Sequence, residues 1–262
     1  MCGIVAAAAG SNIVPVLVEG LKRLEYRGYD SAGLAVVSGD GIERVRSVGR
    51  VAELEAASAG TQAITGIAHT RWATHGVPSE RNAHPHVSGS IAVVHNGIIE
   101  NYESLRNELS ARGHIFTSDT DTESIAHLVE ATLRGEPDLF TAVRVACRRL
   151  VGAYAIAVID HRQPGKVVVA REGSPLLLGI SDTGNYAASD ASALLQVTRN
   201  MVYLENGDIA ELTATGVKIA RLDGTPVDRP VNVSQLSAAA VELGSYQHYM
   251  QKEIFEQPEA LA

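Results

Sequence analysis

The residues Met1-Cys2-Gly3-Ile4-Val5 place a cysteine beside the amino terminus, directly before a run of small and β-branched residues. This run predicts a β-strand. If Met1 is removed, the Cys2 thiol and the α-amino group belong to one amino acid. An α-amino group has a pKa of about 8, so it can accept the thiol proton at neutral pH. The motif predicts a nucleophile that carries its own base; the alternative is a buried structural thiol.

Composition and charge exclude several classes of function. The 262 residues suffice for one large domain, or for one domain and a tail. The net charge is −8 and the basic residues are scattered, so we expect no nucleic-acid partner. The first apolar stretch lacks the flanks of a secretory signal and no run is long enough to span a bilayer, so we expect a cytoplasmic protein without a membrane partner. We expect no disulfide between Cys2 and Cys147.

The hydrophobic patterns predict strands first, then helices, then strands again. The predicted elements of the first part are a strand from Gly3, a helix that includes Val14 and Leu24, a hairpin of Ala32 to Ser38 with Ile42 to Val48, strands Thr65 to Trp72 and Ser90 to His95, and helices Tyr102 to Arg112, Asp121 to Arg134 and Asp138 to Leu150. A capping-box pattern at Thr120 and Glu123 predicts that Asp121 lies in the first helical turn.

From Ala153 onward, short strands and turn clusters predict a mainly antiparallel sheet, interrupted by a short helix that Asp190 caps. The chain after Pro226 loses the alternation and ends in a helical pattern from Tyr246 to Glu256. The order of elements predicts an α+β fold in which sheets pack against helices.

The segment from His69 to Gly76 gathers chemically active side chains at the end of a predicted strand. Arg71 is a candidate to bind a small carboxylate through its planar fork, and a surface ion pair is the alternative. Trp72 is a candidate to close over a ligand, and a core position is the alternative.

Five histidines between His69 and His95 raise the question of a metal site. Their spacing matches no zinc pattern and no carboxylate ligands are nearby, so we interpret them as hydrogen-bonded loop residues. The sequence also lacks a P-loop and a dinucleotide fingerprint, and we expect neither a metal nor a cofactor.

Asn96 and Gly97 follow a predicted strand, where a side-chain amide and a backbone N–H can together form an oxyanion hole. The same dipeptide is the strongest signal for a hairpin turn, which is the alternative. Asp121 either stabilises its helix or binds an ammonium group. Arg71 and Asp121 together could hold the two charges of an amino acid.

These residues resemble the glutaminase domain of the glucosamine-6-phosphate synthases, also called glutamine:fructose-6-phosphate aminotransferases. The motifs that carry the resemblance are Cys2 to Val5, Leu24 to Gly33, His69 to Gly76, Asn82 to His86, His95 to Asn101, Thr120 to Glu123 and His248 to Ile254. The resemblance implies a four-layer αββα sandwich of two stacked antiparallel sheets, of the N-terminal-nucleophile hydrolase type.

The resemblance also implies the role of each site residue in hydrolysing L-glutamine. Cys2 would attack the carboxamide, and Asn96 with the Gly97 N–H would hold the oxyanion. Substrate would be bound by Arg71 at its α-carboxylate and by Asp121 with the Gly97 carbonyl at its α-ammonium. Thr74 and His75 would complete the pocket, Trp72 would gate it, and Arg27 would support the nucleophile.

The resemblance implies a glutaminase domain at residues 1–225, followed at 226–262 by a linker and the start of an isomerase module that binds fructose 6-phosphate. Without that module we expect glutamine hydrolysis but no amino-sugar synthesis. The whole enzyme is expected to be a homodimer, and the state of these 262 residues stays open, a monomer included. Two rivals stay open: the glutaminase of another amidotransferase, and a module that senses glutamine without turnover.

Overall fold

The computed structural model describes residues 2–39, 41–73 and 75–235, together with residues 246, 251, 252, 254, 255 and 257. Met1 and Thr74 lie outside the described residues. The predicted helix from Tyr246 to Glu256 lies largely outside them.

The described residues form fourteen strands and five α-helices. The strands are β1 (Gly3–Ala9), β2 (Ser31–Ser38), β3 (Gly41–Val48), β4 (Thr65–Arg71), β5 (His86–Ser88), β6 (Ile91–Ile99), β7 (Gly152–Asp160), β8 (Val167–Glu172), β9 (Leu177–Ser181), β10 (Gly184–Ala188), β11 (Asn200–Tyr203), β12 (Asp208–Thr213), β13 (Gly216–Arg221) and β14 (Val231–Val233). The helices are α1 (Val14–Leu24), α2 (Val51–Ala57), α3 (Tyr102–Ala111), α4 (Thr122–Leu133) and α5 (Leu139–Cys147), with short 3-10 helices at Glu25–Arg27, Glu80–Asn82 and Ala191–Leu194.

The strands form two antiparallel sheets. The first has eight strands in the order β14-β11-β9-β10-β1-β4-β2-β3, and the second has six in the order β13-β12-β8-β7-β6-β5. Helices α1 and α2 pack on the first sheet, and α4 and α5 pack on the second, with α3 against α4. The predicted four-layer αββα sandwich is confirmed by this arrangement.

Strand β1 lies in the interior of the first sheet and explains why its sequence is apolar throughout. Ile4 and Ala6 face the second sheet, whereas Val5 and Ala7 face helix α1. Both faces are therefore buried, and small side chains let the layers approach closely. This packing holds Cys2, the residue before β1, at the end of a rigid strand.

Three local predictions about the middle of the chain are wrong. Strand β6 continues through Asn96 and Gly97 to Ile99, so this dipeptide neither ends the strand nor forms a turn. Glu123 accepts hydrogen bonds from Thr117 and Ser118 rather than completing a capping box. Asp121 is the residue before α4, not part of its first turn.

The patterns also missed α2, β5 and β14. Strand β14 pairs with β11 of the first sheet, so the sheet extends past residue 225, and the division of the chain at that residue stays a prediction. None of the helices in the described part of the chain is both long and apolar enough to cross a membrane.

Candidate active site

The Cys2 thiol lies where β1 meets the loop after β4. The Trp72 backbone N–H donates to Cys2 Sγ at 3.3 Å, and the Asn96 side-chain amide donates to the Cys2 carbonyl oxygen at 3.0 Å. Burial raises the pKa of the Cys2 thiol, and the Trp72 N–H opposes that rise because it favours the thiolate. The thiol is therefore held in place, and it needs a base to ionise at neutral pH.

Two cavities meet at this thiol. The larger, of about 280 Å³, is lined by Cys2, Arg27, Trp72, Asn96, Gly97, Ile98, Ser174 and Pro175. The smaller, of about 20 Å³, is lined by Cys2, Arg71, Trp72, His75, His84, His95, Gly97, Thr120, Asp121 and Thr122. The structure thus places Cys2 and Gly97 in both cavities, and it brings Arg71, His75 and Asp121 together in the smaller one.

Arg71 is buried at the end of β4, so the surface alternative is wrong. Its Nη2 donates to the carbonyl oxygens of His75 and Gly76, the latter at 3.0 Å. Its Nη1 lies 4.0 Å from Asp30 Oδ1 and has no hydrogen-bond partner among the described residues. One side of the guanidinium therefore holds the loop, and the other has donors left for a ligand.

Asp121 brings a buried negative charge to the same cavity. Its Oδ2 accepts the backbone N–H of Ile99 at 2.9 Å, which joins the start of α4 to the end of β6. The His95 Nδ1 atom lies 3.9 Å from that oxygen. The carboxylate is thus oriented by strand β6 and not used to cap its own helix.

Gly97 occupies a position in β6 that requires glycine. Its φ is +128°, and a Cβ there would lie 2.0 Å from the Ala153 carbonyl oxygen. The alternative that the sequence left open, a hairpin turn, is therefore wrong, and this position requires glycine because strand β7 approaches closely.

The remaining predicted residues border the two cavities. The Trp72 side chain is 48% exposed, so the core alternative is wrong, and its ring packs edge-on against Tyr29. Arg27 forms an ion pair with Asp190 and lines the larger cavity. The His75 ring contacts Tyr102 edge-on, and Thr74 lies outside the described residues.

Sequence reasoning missed two polar residues at the site. Asp30 accepts a hydrogen bond from the Ala73 N–H and faces Arg71; its place in the Leu24 to Gly33 motif was the available signal. His69 was given no role at the site, but it lies buried in β4 and contacts Asn96.

The loop interpretation of the histidines is wrong for three of the five, whereas the strands predicted around His69 and His95 are confirmed. His69, His86 and His95 lie on buried strands. Burial lowers the pKa of both His69 and His86 to about 3, which keeps these rings neutral at ordinary pH.

Comparison with known proteins shows which family part of this chain resembles. Residues 69–196 match the family model of the glutamine amidotransferase domain. The whole chain is 55% identical to the glutamine–fructose-6-phosphate aminotransferase (isomerizing) of Vibrio cholerae, covering 43% of that protein. It is 58% identical to the enzyme of the same name from Acidithiobacillus ferridurans, covering 44% of it. The chain thus spans less than half the length of these relatives.

Solved structures with a similar fold are less similar in sequence. The glutamine phosphoribosylpyrophosphate amidotransferase from B. subtilis is 26% identical, with a TM-score of 0.72 over 84% of this chain and 49% of that one. An allosteric regulatory enzyme of purine biosynthesis is 27% identical, with a TM-score of 0.73 over the same shares. Residues 69–196 therefore belong to the glutamine amidotransferase domain family, and the whole chain aligns with the N-terminal part of the glutamine–fructose-6-phosphate aminotransferases.

Proposed function

We propose that this chain hydrolyses L-glutamine to glutamate and ammonia through a thioester on Cys2. The observation that carries the proposal is the meeting of a thiol, a buried guanidinium and a buried carboxylate around one cavity. A free amino acid has an anionic and a cationic group on one carbon, so a cavity with one charge of each sign complements it.

In this proposal Arg71 binds the α-carboxylate through its unused Nη1, while Asp121 and the Gly97 carbonyl bind the α-ammonium group. Thr74 and His75 complete the pocket. The smaller cavity, at about 20 Å³, has room for only about one water molecule. Glutamine binding therefore requires the loop after β4 to move outward, and Trp72 at the start of that loop is the gate. Arg27 supports the nucleophile from the side of the larger cavity.

The proposed reaction has two steps. First, the Cys2 α-amine, directly or through a water molecule, takes the thiol proton, and the sulfur attacks the carboxamide carbon. Asn96 Nδ2 and the Gly97 N–H stabilise the oxyanion; the C–N bond breaks and the proton passes to the leaving nitrogen, which departs as ammonia. Water then attacks the thioester, which releases glutamate and restores the thiol. The reaction needs Cys2 at the amino terminus, because only a free amine can act as the base.

The activity of the longer relatives extends this proposal. Their name implies transfer of the glutamine nitrogen to fructose 6-phosphate. We propose that the ammonia made here serves that reaction when an isomerase module is present, that these residues alone make no amino sugar, and that no cofactor takes part. A homodimeric whole enzyme in the cytoplasm is part of the same proposal and rests on the sequence alone.

The test combines mass spectrometry with an assay of glutamate release. We expect the active preparation to lack the mass of Met1, and a preparation that keeps Met1 to bind glutamine without turnover. Turnover by a protein that retains Met1 would contradict the α-amine as base. Binding without turnover in a matured preparation would favour a glutamine-sensing module instead.

A further inference from the structure

We infer that His69 is a positioning residue that fixes the orientation of the Asn96 amide, so that Asn96 Nδ2 points toward the reacting centre. The inference rests on the proposed function, since it gives Asn96 the role of an oxyanion donor. The inference is based on the positions of three atoms. The Nε2 of His69 lies 3.0 Å from Asn96 Oδ1 and 3.0 Å from the His95 carbonyl oxygen.

The hydrogen-bond pattern determines which His69 nitrogen carries the proton. The His95 carbonyl can only accept, so Nε2 must donate and therefore bears the hydrogen. A donating Nε2 in turn requires that the Asn96 atom facing it is the oxygen. The Asn96 nitrogen then faces the other way, where it donates to the Cys2 carbonyl oxygen at 3.0 Å. The amide orientation is thus set from both ends.

The surroundings of His69 keep its ring neutral and hold it in this orientation. Its side chain is buried on β4, and its ring contacts the ring of His84 at a centroid distance of 4.1 Å and an interplanar angle of 34°. Gly33 of β2 lets the His84 backbone approach this closely, because a Cβ at Gly33 would lie 2.1 Å from the His84 carbonyl oxygen. The low pKa of His69, about 3, means that the ring keeps a single proton across the range in which the thiol reacts.

A side-chain amide is a weak oxyanion donor if it rotates freely, because its oxygen then faces the developing negative charge part of the time. A preorganised donor avoids this reorganisation, which is the physical basis of oxyanion-hole catalysis. Loss of the His69 hydrogen bond should therefore reduce kcat while leaving substrate binding by Arg71 and Asp121 unchanged.

The test is a double-mutant cycle on glutamate release, using the matured chain. His69→Leu removes the donor, and we expect kcat to fall by roughly 10- to 100-fold with KM unchanged within about a factor of three. His69→Gln keeps an amide donor and should restore most of kcat. In an Asn96→Ala background, His69→Leu should cause no further loss, because the residue that it positions is gone.

His127→Leu is the matched control for removing a buried, hydrogen-bonded histidine. Its side chain is buried and its Nδ1 lies 2.8 Å from Ser88 Oγ, a hydrogen bond that does not involve Asn96. We expect a loss of stability in this variant without a loss of kcat. If the loss caused by His69→Leu is equally large with and without Asn96, or His127→Leu lowers kcat as much, His69 is only structural and the inference is overturned.

Failure of the proposed function would look different. If Asn96→Ala alone leaves kcat unchanged, Asn96 is not an oxyanion donor and the inference falls with it. If His69→Leu does not fold, nitrogen-15 NMR of the wild-type protein still decides: we expect the proton on Nε2 of His69, and a proton on Nδ1 alone would overturn the inference.

Discussion

The side-chain amide of Asn96 donates a hydrogen bond to the backbone carbonyl of Cys2 at 3.0 Å. Cys2 directly precedes β1 of the first sheet, and Asn96 belongs to β6 of the second. The contact therefore crosses the interior of the sandwich at the point where the two cavities meet. It places the proposed nucleophile and its oxyanion donor in a fixed relation that depends on the stacking of the two sheets.

Replacement of the proposed nucleophile should abolish turnover. We expect Cys2→Ala to release no glutamate, because no other thiol lines either cavity. Cys147→Ala is the control, since Cys147 lies buried in α5. Measurable glutamate release by a folded Cys2→Ala variant would rule out the thioester route.

Removal of the proposed oxyanion donor should slow the chemical step. We expect Asn96→Ala to reduce kcat by about 10² to 10³ without a matching change in KM. Asn185→Ala is the control, because Asn185 is also buried and donates to the Thr213 carbonyl away from the site. A kcat loss of less than about fivefold for Asn96→Ala would leave no such role for this amide.

Replacement of Arg71 by lysine should mainly weaken glutamine binding. The ammonium group keeps the charge but cannot both hold the loop carbonyls of His75 and Gly76 and bind a carboxylate. We expect KM to rise by roughly tenfold or more, with a smaller change in kcat. Steady-state kinetics check this, and an unchanged KM would remove Arg71 from the substrate site. Arg162→Lys, outside both cavities, is the control.

A methyl group at Gly97 should disrupt strand pairing. Gly97→Ala forces a Cβ to within 2.0 Å of the Ala153 carbonyl at a φ of +128°, so we expect a loss of unfolding free energy on the order of 3 kcal/mol or more. Gly113→Ala is the control, because Gly113 also has a positive φ, of +90°, and nothing lies within 4 Å of the added carbon. This variant should lose only about 1–2 kcal/mol of unfolding free energy, measured by urea unfolding. If the two variants lose the same unfolding free energy, the contact with strand β7 is not the cause of the loss in Gly97→Ala.

Stability should fall in mild acid because of the buried histidines. An unfolded histidine has a pKa of about 6.5, whereas burial lowers the pKa of His69 and His86 to about 3. Between these values the unfolded chain binds more protons, so the unfolding free energy decreases as pH falls from 6.5 toward 3. At about pH 5 the loss is roughly 2 kcal/mol for each of these histidines.

Urea unfolding at a series of pH values measures this loss. In the variant His86→Gln the side chain at position 86 cannot titrate. The number of protons taken up on unfolding, read from the slope of unfolding free energy against pH, should therefore be smaller by about one in this interval. If the unfolding free energy has the same slope against pH in the variant and in the wild-type protein, the assignment of a low pKa to His86 is contradicted.

Much of the fold could be predicted because it depends on local patterns. The helical repeat that predicted α1 corresponds to buried Leu17 and Leu21, and the predicted cap Asp190 accepts the Ser192 N–H at 2.8 Å at the start of its short 3-10 helix. The hairpin of β2 and β3 was confirmed for the same reason, since its turn lies between two strand-like runs.

Predictions failed where a contact distant in sequence replaced a local one. Asn96 and Gly97 form a strong turn signal in isolation, yet pairing of β6 with Ala155 and Tyr154 of β7 keeps them in an extended strand. Glu123 has the correct spacing for a capping box, but its carboxylate binds the loop at Thr117 and Ser118. Local propensity amounts to about 1 kcal/mol per residue, and tertiary contacts exceed it.

The sequence by itself determined which side chains were available: a thiol at position 2, the guanidinium of Arg71, the amide of Asn96 and the carboxylate of Asp121. It also determined a layered α+β chain, because the periodic spacing of apolar residues, which predicts strands and helices, is a local property of the chain. Only the tertiary structure decided that Arg71 and Asp121 share one cavity, that Gly97 lies against β7, and that His69 orients Asn96. These relations depend on how two sheets stack, and stacking is decided by the packing of residues far apart in the chain.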